Sequence, residues 1–273
     1  MHTLHRRPYV PAETILSELE QWLATNDYRP DYITLGGLGE PCLNSDLGRI
    51  ITGIKDLAPE VPIAVLTNSS LLGDPLIRKE LLRCQAVLPS LDTLVEQECS
   101  VLNAPCFPLD PEELAHGILH FAREFSGRLF LEILLVQGYN DTEENLGRLR
   151  SFCRELRPHR IDVVTMTRPG ACLEARPIAE ETLHRWRSEL EPLAKGTGPE
   201  PGHRKAPSRM RPEAKEEVLA SLRRRPQTRS DLMAGLGIEG PLVDEIVGEL
   251  LREGLIAELD LGQTTYFKPV GSG

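Results

Sequence analysis

The chain has 273 residues, 40% of them hydrophobic, which suits one large domain and a smaller one. Its formal net charge of −10 sits in residues 1–202, where 20 Lys and Arg face 30 Asp and Glu, while residues 203–273 balance at 11 against 11; such a body is a poor non-specific nucleic-acid binder. No apolar run approaches the roughly 18 residues of a membrane span, and the stretch Met1–Pro8 is basic without an apolar signal core, so a cytoplasmic protein with no membrane partner is expected.

In chain order, Ile15, Leu16, Leu19, Trp22 and Leu23 recur at helical spacing and predict a helix over 11–25. An apolar strand at 31–36 runs into Gly36-Gly37-Leu38-Gly39-Glu40-Pro41. Such a turn leaves bare backbone at the rim of a sheet, where a ligand can approach closely. A helix over 44–58 follows, capped by Asn44 or Ser45, then a strand at 62–67 and a short helix at 74–83 with Pro75 in its first turn. The strand at 86–91 contains Pro89, which predicts a strand end or bulge there. A helix over 110–125 opens on Asp110-Pro111-Glu112-Glu113. A strand at 129–136, a helix over 141–156 capped by Asp141, a strand at 161–166 and a helix over 179–194 complete the series.

Continuous apolar strands alternating with helices predict a parallel α/β sheet with right-handed crossovers. Ligands of such folds sit at the carboxyl ends of the strands. Here those ends are the glycine turn, Thr67-Asn68-Ser69-Ser70, Pro89-Ser90-Leu91-Asp92, Gln137-Gly138-Tyr139-Asn140-Asp141 and Thr165-Met166-Thr167-Arg168-Pro169. Glu132 and Asp162 interrupt apolar strands and are second-tier candidates facing the cavity. His116, His120 and His184 read as scattered helix residues. The six cysteines, at 42, 84, 99, 106, 153 and 172, form no CxxC pair, which suits a reducing compartment and offers no four-ligand metal site.

Residues 195–212 form a Pro/Gly/basic linker. Helices at 213–224, 228–235 and 240–253, then strands near 255–260 and 263–268, give the order of a winged helix-turn-helix domain over 213–270. The helix expected to read DNA starts Glu239-Gly240-Pro241-Leu242-Val243-Asp244-Glu245 and lacks basic residues, which argues against DNA. Packing, or an RNA or protein partner, suits it better, the RNA reading using Arg223, Arg224, Arg225 and Arg229 on phosphates.

Taken in this order, the motifs Arg6-Arg7-Pro8-Tyr9-Val10-Pro11, Leu35 to Pro41, Leu66 to Leu72, Leu88 to Asp92, Leu135 to Asp141 and Arg168-Pro169 resemble the radical S-adenosylmethionine (radical SAM) superfamily. The branch they look like is that of tRNA wybutosine-type synthetases, and the resemblance covers roughly residues 6–194. The family pattern has Gly where this chain has Ser69.

The resemblance implies a partial (β/α)6 barrel over 1–194 that lacks its first strand and the C-x3-C-x2-C loop of a 4Fe–4S cluster. By order of elements Met1 falls just after that loop, and Cys42 is no substitute for it. A late start, a shortened form and a degenerate relative are the alternatives. In the family, a reduced cluster splits S-adenosylmethionine into methionine and a 5′-deoxyadenosyl radical that abstracts hydrogen. A one-electron donor such as flavodoxin or ferredoxin is the implied partner.

By motif position, the resemblance implies that Gly36, Gly37 and Gly39 hold the methionyl ammonium and carboxylate through backbone, with Glu40 orienting the turn or accepting from the ammonium. It implies that Thr67, Asn68 and Ser69 reach ribose or carboxylate, that Ser90 and Asp92 accept from ribose, and that Gly138, Asn140 and Asp141 approach adenine. Thr165 and Arg168 end the last strand, where Arg168 can pair with carboxylate or phosphate. Two rival classes stand beside this reading. One is a cluster-free binding or regulatory protein that uses the winged helix for interaction; the other is an unrelated α/β-barrel enzyme with a phosphate or metal site at the rim.

Overall fold

The computed structural model describes all residues except 1–2, 27–28, 38, 103–108, 167–173, 197–210, 225, 262–263 and 271–273. The chain divides into two compact units, residues 1–202 and 203–273.

The larger unit is α/β. Its order is α1 (Ala12–Thr25), β1 (Ile33–Leu35), α2 (Leu47–Leu57), β2 (Ile63–Thr67), α3 (Pro75–Leu81), β3 (Ala86–Pro89), α4 (Glu96–Leu102), α5 (Pro111–Glu124), β4 (Arg128–Leu135), α6 (Glu143–Leu156), β5 (Arg160–Thr165) and α7 (Glu180–Leu190). The strands lie side by side in chain order and all pairs are parallel, with β1 and β5 at the two edges. Alternation separates the two faces of the sheet. Ile63, Val65, Val87, Leu131, Ile133, Leu135, Ile161 and Val163 join the helices in one continuous core. The other face carries a second, smaller cluster of Ala64, Ala86 and Phe130, with Tyr32 and Leu88 against it. Further along that face Leu66 is 40% exposed, so it is an open concavity over the carboxyl ends of the strands.

Several expected boundaries move. α2 begins at Leu47, and its cap position is Asp46 rather than Asn44 or Ser45. Asn44 Oδ1 instead accepts from Asp46 N, and its amide reaches back to Val10 O. α6 is capped by Thr142, whose hydroxyl accepts from Asn145 N, not by Asp141, whose carboxylate accepts from Gly138 N. β3 stops at Pro89, where proline cannot donate to a further ladder bond. The short α4 has no counterpart in the sequence reading. No helix among the described residues is long and apolar enough to cross a membrane.

The smaller unit holds α8 (Arg211–Arg224), α9 (Arg229–Leu236), α10 (Gly240–Arg252) and the antiparallel pair β6 (Ile256–Leu261) and β7 (Thr264–Pro269). Ala214, Val218, Leu222, Leu232, Val243, Ile246 and Leu250 form its core. Thr228 and Asp231 cap α9 reciprocally, each side chain accepting from the other's backbone N–H. Arg229 is held bidentately by Asp244 of α10, so one of the four arginines suggested for phosphates is already paired.

Candidate functional site

The open face of the sheet ends in a pocket of about 350 Å3 at the carboxyl ends of β1, β2 and β3. That volume lies within the roughly 300–1,000 Å3 of small-molecule sites. Gly36, Gly37, Gly39, Glu40 and Pro41 form one wall, Leu66, Thr67 and Asn68 the next, and Leu88, Ser90 and Glu132 the remainder. Three separate strand ends therefore converge as the sequence order suggests.

Glu40 holds two of these walls together. Its Oε1 accepts from Thr67 Oγ1 at 2.7 Å and from Cys42 N at 3.0 Å, and its Oε2 accepts from Asn68 N at 2.6 Å. A carboxylate has roughly four acceptor positions. Three are taken here, so Glu40 first fixes the turn and retains one position for a ligand donor. Thr67 is buried and relays the same network, accepting from Ser69 N at 3.2 Å.

The glycines meet a different requirement. A Cβ built at Gly37 or Gly39 would find no heavy atom within 4 Å. At Gly37 the backbone itself requires glycine, because its φ of +157° is one that L side chains rarely adopt, whereas the space around Gly39 makes no such demand. Both leave bare backbone on the pocket wall.

Ser69 lies behind the pocket rather than in it. It is buried, its hydroxyl donates to Ser90 O at 2.8 Å, and its φ of +68° is left-handed. Asp92 likewise does not line the pocket. Its Oδ1 accepts from Leu134 N at 2.9 Å, and burial pushes its carboxyl up to about 6, with the Glu132 charge adding to the shift. Asn140 is fully buried and works as a clamp: its Oδ1 accepts from Val136 N, and its amide donates to Asp92 O and Leu134 O. Gly138 sits in the exposed turn before it, with φ +72°. Thr165 donates to Leu135 O and accepts from Ile178 N, closing the end of β5. Arg168 lies outside the described residues. Among the described residues, Asn140 and Thr165 thus fasten the ends of β4 and β5 to their neighbours.

Sequence reasoning passed over Leu66 and Leu88, which form the apolar walls, and ranked Glu132 second. Period-2 alternation was the available signal, since Leu66, Leu88 and Glu132 share the open face with Ala64, Ala86 and Phe130. Glu132 is half-buried, and desolvation, followed by the Asp162 charge beside it, raises its pKa.

S-adenosylmethionine fits this donor set. The glycine cradle and the remaining acceptor of Glu40 suit an amino-acid end, and Leu66 and Leu88 suit an apolar body. A 4Fe–4S cluster does not fit. Among the described residues no group of three or more His, Cys, Asp or Glu is placed to hold a metal. Cys42, Cys84, Cys99 and Cys153 are separately buried, and burial pushes the thiols of Cys84 and Cys153 up to about 12.

No known family profile matches the chain. It is 28% identical over 251 residues to a Brachyspira hyodysenteriae protein named GTPase Obg, covering 92% of this chain and 37% of that one. It is 34% identical over 164 residues to UPF0026 protein slr1464 of Synechocystis, covering 60% of each. The chain therefore spans between about a third and three fifths of the length of these two relatives. Among solved structures it resembles a radical SAM methyltransferase from Sphaerobacter thermophilus, with TM-score 0.54 and 20% identity, over 69% of this chain and 57% of that one. At this identity the likeness concerns the fold alone, a parallel α/β sheet carrying its helices on one face.

Proposed function

We propose that the larger unit is the S-adenosylmethionine-binding part of a radical SAM-type enzyme. The observation that carries this reading is the pocket itself, where a bare glycine turn, a carboxylate-fastened second strand end and Ser90 converge. In such an enzyme a reduced cluster beside S-adenosylmethionine would supply hydrogen abstraction from a substrate, with a flavodoxin- or ferredoxin-like protein as the one-electron donor. The chain's own residues bind and orient. Backbone at Gly36, Gly37 and Gly39 receives the amino-acid end, Glu40 holds the turn rigid, and Leu66 and Leu88 exclude water.

The wybutosine-type branch and a winged-helix role for the smaller unit are part of the same proposal. Three helices followed by an antiparallel pair support the latter. The pairing of Arg229 with Asp244 favours a protein partner for this unit over nucleic acid.

The test compares this chain with one extended upstream in frame to include the cysteine loop. After anaerobic reconstitution, iron, acid-labile sulfide and the visible spectrum are measured. About four irons in the extended form only is the expected result. No cluster in either form would sink the enzyme reading and leave a cluster-free binding protein.

A further inference from the structure

The pocket lining contains two carboxylates and, among the described residues, no Lys or Arg. The two are not equivalent. Glu40 is met by three protein donors, as described above. Glu132 rises from the middle of β4 on the open face, where no hydrogen bond among the described residues holds its carboxyl. Its strand neighbour Asp162 adds a like charge. The cation of that neighbouring strand, Arg160, is engaged elsewhere: its Nε donates to Asp162 at 2.9 Å and its guanidinium lies 4.4 Å over the Phe130 ring. Among the described residues, no donor or cation thus compensates the charge of this pocket carboxylate.

We propose that Glu132 makes this pocket selective for a ligand with a positive charge at its centre, so that a sulfonium or ammonium is taken in preference to a neutral thioether of the same shape. The inference rests on the reading of the pocket as the S-adenosylmethionine site. Its physical basis is desolvation. A neutral ligand would bury Glu132 further and return nothing for its lost hydration. A cationic ligand replaces that hydration with an ion pair and offsets the Asp162 repulsion. S-adenosylmethionine and S-adenosylhomocysteine differ by one methyl group and one positive charge, so their ratio of affinities reads this effect directly. Glu40 contributes less, because its charge is already distributed over three donors.

The experiment is calorimetric titration of the full chain with three probes: S-adenosylmethionine, S-adenosylhomocysteine and sinefungin, which carries an amine in place of the sulfonium. The wild-type chain is expected to bind both cationic probes about tenfold more tightly than the thioether. Glu132→Gln, which keeps the side chain's shape, is expected to bring that ratio close to one, weakening both cationic probes and tightening the thioether. Glu132→Asp is expected to keep part of the preference. The wild-type ratio is informative even if a variant folds poorly. Equal affinities in the wild type, or a ratio that survives Glu132→Gln, would overturn the inference and leave the pocket reading standing. No binding of any probe up to about millimolar would overturn both.

Discussion

Ser69 shows how one residue can be both strained and useful. Its φ of +68° is one that L-residues other than glycine adopt at a cost of about 1–2 kcal/mol. In exchange, its buried hydroxyl donates to Ser90 O and so ties the end of β2 to the end of β3. Two substitutions separate these contributions. Ser69→Gly relieves the backbone and loses the hydrogen bond, so its stability is expected within about 1 kcal/mol of wild type. Ser69→Ala keeps the strain and loses the bond, and is expected to be about 1–2 kcal/mol less stable. Urea unfolding of both variants checks this, and an alanine variant more stable than the glycine variant would refute it. Asp92 offers a test in pH. Its folded pKa of about 6 is raised above the ordinary 3.8. The protonated form is therefore the one that folding favours; that contribution is complete below about pH 4 and lost as pH rises towards about 6. Above that range the buried charge costs up to about 3 kcal/mol. Asp92→Asn preserves an acceptor for Leu134 N and removes the charge. The variant is expected to be roughly 1–3 kcal/mol more stable than wild type at about pH 8, the gap closing by about pH 4. A pH-independent gap would refute it.

At the scale of elements, the helix sequences say where each helix lies better than they say how tightly it packs. Gly117 in α5 and Gly147 in α6 look alike in sequence, each an isolated glycine in an amphipathic run. Their surroundings differ. A Cβ at Gly117 would come within 2.9 Å of Gly73 N and 3.0 Å of Leu72 C, which are backbone atoms of the loop after β2. A Cβ at Gly147 would meet nothing within 4 Å. Gly147→Ala is expected to stabilise by about 0.5–1 kcal/mol through helix propensity. Gly117→Ala is expected to destabilise by about 1–3 kcal/mol, because that loop must move. Thermal melts that place the two shifts in the same direction would contradict this account. The cap corrections have a similar origin. Thr142 displaces Asp141 at the start of α6 because Asp141 is drawn back to Gly138 N, and Asn145 is drawn to Leu94 N and Asp92 O. At α2 the reach is longer: the Asn44 amide is drawn to Val10 O, a partner that local capping rules do not see.

At the scale of the whole molecule, the alternation of apolar strands with helices was enough to read a parallel α/β sheet, because a strand buried on the helix side must be apolar whatever its neighbours are. The same reasoning located every strand carboxyl end on one rim, and the order of motifs along the chain carried the resemblance to radical SAM proteins. Gly36, Gly37, Gly39, Glu40, Thr67, Asn68 and Ser90 line one pocket; that they hold S-adenosylmethionine is the proposal made above. What only the tertiary structure decided is which rim residues face a ligand and which bind the protein to itself. Glu40 is taken up by donors at 42, 67 and 68, and Asn140 by carbonyls at 92 and 134, while Glu132 is left without a donor among the described residues. These partners are distant along the chain. A residue type and its strand position state what a side chain can donate or accept, but the pairing that satisfies it, or leaves it open to a ligand, forms only when the strands are brought side by side.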